Sequence, residues 1–191
     1  PGPGARLGRT PVVDADRRVL GVVCDADLAG PAFRLPLALR TTIESAEDAA
    51  TVQLLSHGRL VLGLGLGWSE IEYEGLGADA RRRGAAMDEI LQILPQAWSG
   101  EPFTHRGAVY DLPTVGVRPT PSSKIPVLIG GSAEPAVRRA ARLADGLFAN
   151  APVEKFVEQV HWVLDECERI GRDPATFRFI HYSVLLPGAT R

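Results

Sequence analysis

The stretch GRLVLGLGLGW, residues 58–68, decides the fold, because an apolar run leads directly into glycines that alternate with leucines. A segment that is apolar on both faces is typical of a strand buried within a parallel sheet. Alternate residues of a strand point to the same face, so Gly63, Gly65 and Gly67 leave space on one face. Two explanations fit this space: neighbouring side chains pack into it, or a flat cofactor rests at the carboxyl end of the strand.

The glycine run does not match the common nucleotide-binding fingerprints. A dinucleotide fold requires G-x-G-x-x-G at the turn from strand to helix. Counted from Gly63, the last glycine of that motif would fall on Trp68. The sequence also lacks G-x-x-x-x-G-K-[ST], the loop that holds the phosphates of nucleoside triphosphates. The stretch is therefore predicted to be a buried strand and not a nucleotide loop.

Around this strand, apolar segments alternate with amphipathic segments along the chain. Strands are predicted at residues 19–24, 59–67, 127–131, 145–150 and 177–187. Helices are predicted at residues 36–56, 81–98, 132–144 and 152–171. This alternation is the signature of parallel βα units, and it fits either an open doubly wound sheet or part of a (β/α)8 barrel.

Prolines and glycines mark the irregular parts of the chain. Residues 1–18 are rich in Pro, Gly and Arg and are predicted to be irregular. Pro95 is expected to kink its helix or end it early. Residues 99–124 are too long for an idle connection and are predicted to be an insertion that covers something. Within this insertion, short strands are predicted near 109–112 and 115–117.

A second glycine site follows the predicted strand at 127–131, where the sequence reads IGGS. Ser132 is predicted to be the N-cap of the next helix, with Glu134 in its first turn. Free backbone amides at such a helix start can bind an anion. An ordinary tight turn with a capped helix explains the same residues, so both interpretations stay open. Both glycine sites fall at the carboxyl ends of strands, where α/β enzymes place their chemistry.

Composition excludes several classes of function. The formal net charge of −2 provides no basic field for nucleic acid, and no apolar run is long enough to span a bilayer. Cys24 and Cys167 match no metal or redox spacing and are predicted to be reduced core thiols, which fits a cytoplasmic setting. Because the sequence starts at Pro1 without a methionine, we expect it to be a piece of a longer chain.

Three blocks of the chain resemble the luciferase-like family of flavin- or deazaflavin-dependent monooxygenases and oxidoreductases. They are LLSHGRLVLGLGLGWSEIEYEGLG, RGAAMDEILQILPQAWSGEPFTHRGAVYDL and RPTPSSKIPVLIGGSAEPAVRRAARLADGLF, in the order and spacing of that family. The resemblance extends from about Val19 to Pro187. It implies an α/β fold of the (β/α)8-barrel type that is incomplete, with about five of the eight βα units. Residues 19–191 would then form a partial barrel domain with the insertion at about 99–124.

The resemblance also implies a cofactor at the C-terminal mouth of the barrel, with coenzyme F420, a deazaflavin, preferred over FMN. The residues that would line the cofactor are Gly65, Leu66, Gly67 and Trp68. The residues that would contact its phosphate are Gly130, Gly131 and Ser132. The strained bulge that supports the ring in this family would fall within residues 21–24. No catalytic acid or base is assigned, and no metal is expected.

The remaining polar candidates are weighed mostly as structural residues. His57 lies in a helix-ending turn, and His161 lies on a helix, where packing or a surface position is expected. His105, in the insertion, is a minor candidate to reach a substrate, and a structural position is favoured for it. Solvated positions are expected for the acidic residues after Trp68, which are Glu70, Glu72 and Glu74. Tyr73 and Tyr110 are candidates to flank a ring, with ordinary packing as the equal alternative.

The function implied by the resemblance is hydride transfer to or from a small organic substrate with F420, or monooxygenation with FMN. The expected partners are a small-molecule substrate and a possible second copy of the chain, without nucleic acid or membrane. Two alternatives stay open: a fragment that is inactive alone, and a cofactor-free relative of the barrel family with a structural or binding role. Five strands would leave the barrel edges unpaired.

Overall fold

The computed structural model describes residues 11–13, 19–22, 37–67, 69–75 and 78–182. The chain divides into two compact units, Pro1–Val127 and Leu128–Arg191. Each unit combines helices with strands, in agreement with the predicted α/β class. Trp68, Cys24 and the end of the strand predicted at 177–187 lie outside the described residues.

The first unit begins with two short strands, β1 (Pro11–Val13) and β2 (Val19–Val22). They pair in antiparallel orientation, with Val12 opposite Gly21. Within the segment expected to be irregular, Pro11–Val13 form a strand. The strand predicted from residue 19 is present as β2, but its pairing with β1 is antiparallel, whereas parallel neighbours were expected. The sequence Pro-Val-Val tolerates a strand because proline is accepted at the first residue of an edge strand.

Helix α1 covers Leu37–Leu55, and the turn that ends it contains Gly58, the glycine that the sequence indicates. Gly58 has a φ of 81°, and its N–H donates to the carbonyl of Gln53 at 2.9 Å. The buried Gln53 side chain also accepts from the Leu60 N–H at 2.9 Å and donates to the Ser123 hydroxyl at 2.9 Å. One helical residue therefore positions both the entry to the next strand and the segment near residue 123.

The strand at the glycine run, β3, covers Leu62–Gly65 and is shorter than predicted. It is followed by the short helix α2 (Glu70–Gly75), one 3₁₀ turn and the long helix α3 (Arg83–Ala97). The buried apolar residues of α3 are Met87, Leu91, Ile93, Leu94 and Ala97. The Trp98 indole N–H donates to the Ala46 carbonyl of α1 at 2.9 Å, which ties the two helices together.

Of the two effects predicted for Pro95, an early end of the helix is not observed, because α3 continues to Ala97. Proline removes the hydrogen bond to the carbonyl four residues earlier, which here is Leu91. The Gln96 side chain donates to the Gln92 carbonyl at 2.9 Å, so a neighbouring carbonyl keeps a partner. Since only two residues follow Pro95 in the helix, the disruption affects its last turn alone.

The predicted insertion contains an antiparallel hairpin, formed by β4 (Phe103–Arg106) and β5 (Asp111–Val115). Its strands lie earlier in the sequence than the predicted pieces at 109–112 and 115–117. The turn is closed by a hydrogen bond from the Gly107 N–H to the Tyr110 carbonyl at 2.8 Å. The residues predicted to begin the first strand therefore form the turn instead.

The second unit contains parallel strands with helices between them. β6 (Val127–Gly130), β7 (Gly146–Ala149) and β8 (Arg178–His181) pair in parallel, in that order. The connecting helices are α4 (Glu134–Leu143) and α5 (Val153–Ile170). The order confirms the parallel βα units predicted for this part of the chain.

Close backbone approach explains one glycine of this sheet. A Cβ on Gly146 would lie 2.3 Å from the Arg178 carbonyl oxygen and 2.6 Å from a Leu128 methyl carbon. The strand interior is apolar, since Ile129 and Leu147 are fully buried. Gly146 therefore permits tight packing at the start of β7.

An ion cluster joins α4 to α5. The Glu166 carboxylate is buried and accepts from Arg169 at 2.6 Å, from Arg142 at 2.9 Å and from Arg138 at 3.4 Å. The Arg169 guanidinium, followed by that of Arg142, lowers the pKa of Glu166 to about 2, although burial acts in the opposite direction. Glu166 is therefore ionised across the range in which proteins are usually handled.

Candidate functional site

The carboxyl end of β3 opens on a cavity in the first unit. The cavity has a volume of about 400 Å³, and Gly65 and Leu66 contribute to its wall. A Cβ added to Gly63 or Gly65 would meet no atom of the described residues within 4 Å. Within the described chain, the space left by these glycines is therefore open, and neighbouring side chains do not fill it.

The chain leaves β3 through a turn that Tyr73 holds in place. Gly67 has a φ of 73°, and a Cβ there would lie 3.5 Å from the Tyr73 ring. The Tyr73 hydroxyl donates to the Leu66 carbonyl. Burial raises the pKa of Tyr73, so its hydroxyl stays protonated and keeps this hydrogen bond. Tyr73, a candidate to flank a ring, therefore supports the backbone of two predicted cofactor residues.

The cavity is mainly apolar, with charged residues at the start of α3. Its wall consists of Gly65, Leu66, Tyr73, Ala78, Asp79, Arg82, Arg83, Ala86, Met87, Ile90, Val109 and Tyr110. Arg82 also donates to the Ala108 carbonyl of the hairpin turn. A planar apolar ring suits this lining, and the arginines favour a ligand that carries negative charge.

Glu89 organises the hairpin next to this cavity, and the sequence analysis missed it. Its buried carboxylate accepts from the Tyr110 N–H at 2.7 Å and from the Val109 N–H at 2.8 Å. The His105 Nε2 lies 3.2 Å from the same carboxylate. Burial alone would raise the pKa of Glu89, but these hydrogen bonds outweigh it and lower the pKa below its ordinary value.

The surroundings of Glu89 place His105 in a structural position, which is the position that the sequence favours. His105 is 8% exposed and faces Glu89 from β4, so it supports the hairpin from inside and does not extend towards a substrate. Gly107 permits the arrangement, because a Cβ there would lie 2.1 Å from a Glu89 carboxylate oxygen. The available signal was the spacing of Glu89, Ile93 and Ala97 along α3, which places a glutamate on the buried side of a helix.

The second predicted site lies in the second unit, where β6 ends and α4 begins. Gly130 is the last residue of β6, and Gly131 and Ser132 lie between the strand and the helix. The N-cap is Ala133, which makes no side-chain capping bond, so the prediction that Ser132 caps α4 is wrong. For Ser132 to be the N-cap, the helix would have to begin one residue earlier, at Ala133. Ser132 is exposed.

The charges near this helix start are balanced. Glu134 in the first turn is paired with Arg138 at 2.7 Å, which offsets its repulsion of an approaching anion. The first N–H groups of an α-helix have no acceptor within the helix. The segment 130–132 therefore remains a candidate anion site by its backbone, without the predicted serine cap.

The other predicted candidates occupy structural or solvent positions. His57 is in the turn after α1 with a φ of 54°, and His161 is exposed on α5. His181 bonds the Ala151 carbonyl at 2.7 Å. Glu70, Glu72 and Glu74 are all exposed on α2, as expected. Cys167 is a free, fully buried cysteine, in agreement with a core thiol.

The segment expected to support the ring, residues 21–24, is described in its first half. Gly21 and Val22 lie in β2, whereas Cys24 lies outside the described residues. A supporting role for residues 21–24 stays a prediction. Among the helices that the structure describes, none has the length and apolar character needed to cross a membrane.

Comparison with known proteins assigns the class of the protein. The chain has the α/β fold of the (β/α)8-barrel type and superposes on the coenzyme F420-dependent tetrahydromethanopterin reductase of Methanopyrus kandleri with a TM-score of 0.66 and 21% identity. The match covers 74% of this chain and 46% of the reductase, so the chain represents part of that fold. The family of luciferase-like monooxygenases matches residues 30–191. The protein therefore belongs to this family.

Two sequence relatives differ in the cofactor that their names state. The F420-dependent glucose-6-phosphate dehydrogenase of Microbacterium testaceum is 30% identical over 125 residues, which cover 63% of this chain and 37% of the relative. The FMNH₂-dependent dimethylsulfone monooxygenase of Pseudomonas fluorescens is 31% identical over 120 residues, covering 61% and 33%. The chain thus spans about a third of the length of these relatives.

Proposed function

We propose that the protein is an oxidoreductase that binds F420 or FMN at the carboxyl end of β3 and acts on a small organic substrate. The observation that carries this proposal is the cavity of about 400 Å³ beside Gly65 and Leu66. Two residues assigned to the cofactor from sequence lie in its wall, and the volume falls within the range of ligand pockets. Family membership supports the same function.

The residues present fit a flat cofactor ring. Gly65 presents open backbone, which allows a ring to approach more closely than any side chain would. Tyr73 holds the Leu66 carbonyl and so keeps the wall of the cavity in one conformation. Val109 and Tyr110, fixed by Glu89, form another part of the wall. Their backbones are ordered before any ligand binds, which reduces the entropy cost of binding.

Two arginines and two backbone amides are available to bind the charged groups of the ligands. Arg82 and Arg83 place positive charge at the cavity, where they would attract an anionic substrate or cofactor group. The amides of Gly131 and Ser132 would hold the cofactor phosphate. When bound, the cofactor supplies the hydride chemistry or, with oxygen, the oxygenating chemistry. We assign the protein's residues to binding and orientation, and none to acid or base catalysis.

Two further elements belong to the proposal. Residues 19–191 form part of one barrel domain, and the hairpin of β4 and β5 lies within an insertion at about 99–124. F420 is preferred over FMN because of the resemblance of the glycine-rich blocks. The two named relatives are almost equally similar to this chain and do not favour either cofactor.

The test is a fluorescence titration of the protein, expressed from its full reading frame, with F420 and FMN in oxidised and reduced forms. We expect saturable binding of one cofactor and a loss of at least about tenfold in affinity for Gly65→Val, whose side chain would occupy the cavity. Gly116→Val is the matched control, since Gly116 is exposed and a Cβ there meets no described atom within 4 Å. Absence of saturable binding by either cofactor would refute the proposal.

A further inference from the structure

Gln159 is a polar residue at a position where an apolar one would be expected. It lies in the middle of α5 and is 0% exposed, as are Val163 and Cys167 on the same side of the helix. A buried amide loses its hydrogen bonds to water, and the loss is costly unless protein groups replace them. A buried glutamine at this position therefore needs a hydrogen-bond partner, with which a leucine could not interact.

The partner is the backbone of the candidate anion site. The Gln159 Nε2 donates to the Gly131 carbonyl over 3.4 Å. The Oε1 is buried and has no hydrogen-bond partner among the residues that the structure describes. Exchanging the two amide atoms would place an oxygen against the Gly131 oxygen, which is unfavourable. The hydrogen bond to Gly131 therefore determines the orientation of the amide.

Holding the Gly131 carbonyl also determines where the next N–H points. The carbonyl of Gly131 and the N–H of Ser132 belong to one trans peptide plane and point in opposite directions. When Gln159 holds the carbonyl towards the buried side of α5, the Ser132 N–H is directed away from it. Ser132 is exposed, so an anion can reach this residue from the solvent.

Packing restricts the same peptide from another side. A Cβ on Gly131 would lie 3.0 Å from the Ala136 Cβ in the first turn of α4, so no larger residue is accommodated without movement. The backbone at Gly131 is thus held between α4 and the amide of Gln159. A fixed donor binds an anion more tightly than a mobile one, since it loses less freedom on binding.

We propose that Gln159 is a positioning residue of the anion site, which holds the Gly131 carbonyl so that the Ser132 N–H is directed at the cofactor phosphate. This inference rests on the proposed function, in which residues 130–132 hold that phosphate. Gln159 itself does not contact the cofactor. The buried Oε1 has no hydrogen-bond partner among the described residues, and it is present because the Nε2 of the same amide is needed as the donor to Gly131.

The test compares each ring with and without its phosphate. Affinities of the full-reading-frame protein are measured for FMN against riboflavin, and for F420 against its phosphate-free deazaflavin. Gln159→Leu is expected to weaken binding of the phosphate-bearing form by about tenfold and to leave the phosphate-free form unchanged, because the Ser132 N–H that donates to the charged group is no longer held in place. The melting temperature should not fall, since the variant also removes a buried atom without a partner. Gln92→Leu, at an exposed position on α3, is the control.

A second measurement separates this inference from the proposed function. Hydrogen–deuterium exchange of the segment 130–133 in the cofactor-free protein should be faster in Gln159→Leu and unchanged in Gln92→Leu. If the wild-type protein binds no cofactor, the proposed function fails and the exchange result alone decides the role of Gln159. If both forms of a ring lose affinity equally, or if the exchange rate does not change, Gln159 is not a positioning residue.

Discussion

Replacing Glu89 with glutamine is expected to loosen the hairpin of β4 and β5 without changing the shape of the side chain. In the wild-type protein, one carboxylate accepts from the N–H groups of Val109 and Tyr110 and faces the Nε2 of His105. A glutamine has one acceptor oxygen and places an NH₂ group where the second oxygen lay. At least one backbone N–H of the turn must then face a donor.

The magnitude follows from these contacts. A hydrogen bond to a charged group contributes about 1.5 to 3 kcal/mol, and a buried donor left without an acceptor costs about 1 to 3 kcal/mol. Because Glu89 is 8% exposed, water does not replace the lost acceptor. We expect Glu89→Gln to lower the free energy of unfolding by about 2 to 4 kcal/mol, a large part of the stability of an ordinary domain.

Urea denaturation measures this loss. With a slope typical of a small protein, the midpoint should fall by roughly 1 to 2 M. The pKa of Glu89 is lowered in the folded protein, so its contribution is present above the ordinary value of 4.5 and disappears as the pH falls through the lowered value. The difference between wild type and variant should therefore shrink in acid.

The control for this measurement is Glu101→Gln, which makes the same chemical change at an exposed position. Its midpoint should match that of the wild type. Exchange of the amides at Val109 and Tyr110 should be faster only in Glu89→Gln. A variant whose stability lies within about 0.5 kcal/mol of wild type, at neutral pH, would refute the reasoning, since that is the range of neutral surface substitutions.

Three other substitutions probe the fold and the cavity. Gly107→Ala places a Cβ 2.1 Å from a Glu89 carboxylate oxygen and should destabilise the protein by about 1 to 3 kcal/mol in urea, while Gly116→Ala should not. Glu166→Gln should lower the free energy of unfolding by on the order of 3 kcal/mol at pH 7, because the pKa of Glu166 falls from 4.5 to about 2 on folding. The difference in stability between wild type and variant should shrink as the pH falls from 4.5 towards 2, and a difference that does not depend on pH would contradict the ionic explanation. Tyr73→Phe removes the hydroxyl that bonds the Leu66 carbonyl, so cofactor affinity should drop severalfold with a stability loss of about 1 kcal/mol; unchanged affinity would show that this bond does not order the cavity wall.

Local patterns were sufficient where structure depends on neighbours in the sequence. The helix end at Gly58 was predicted because a left-handed residue is needed there, and the observed φ of 81° agrees. The parallel strands of the second unit were predicted from short apolar runs that alternate with amphipathic segments. The exposed acidic residues of α2 were also expected from sequence.

Predictions failed where a residue's role depends on a partner far away in the chain. The sequence left His105 as a minor candidate for substrate contact and named no partner for it, whereas in the structure it lies in β4 against Glu89 of α3. The antiparallel pairing of β2 could not be read from its own residues, since a short apolar strand suits either orientation. Ser132 was taken as a cap from its residue type, but the helix begins after Ala133.

The sequence by itself determined the class of this protein, because βα periodicity and glycine-rich blocks are written in consecutive residues. It also indicated Gly65 and Leu66, which line the observed cavity. Only the tertiary structure decided that Glu89 holds the hairpin and that Gln159 reaches the Gly131 carbonyl. These two side chains act through hydrogen bonds to backbone that is 20 or more positions away, as for Val109 and Gly131, and such partners are set by packing, which no local pattern encodes.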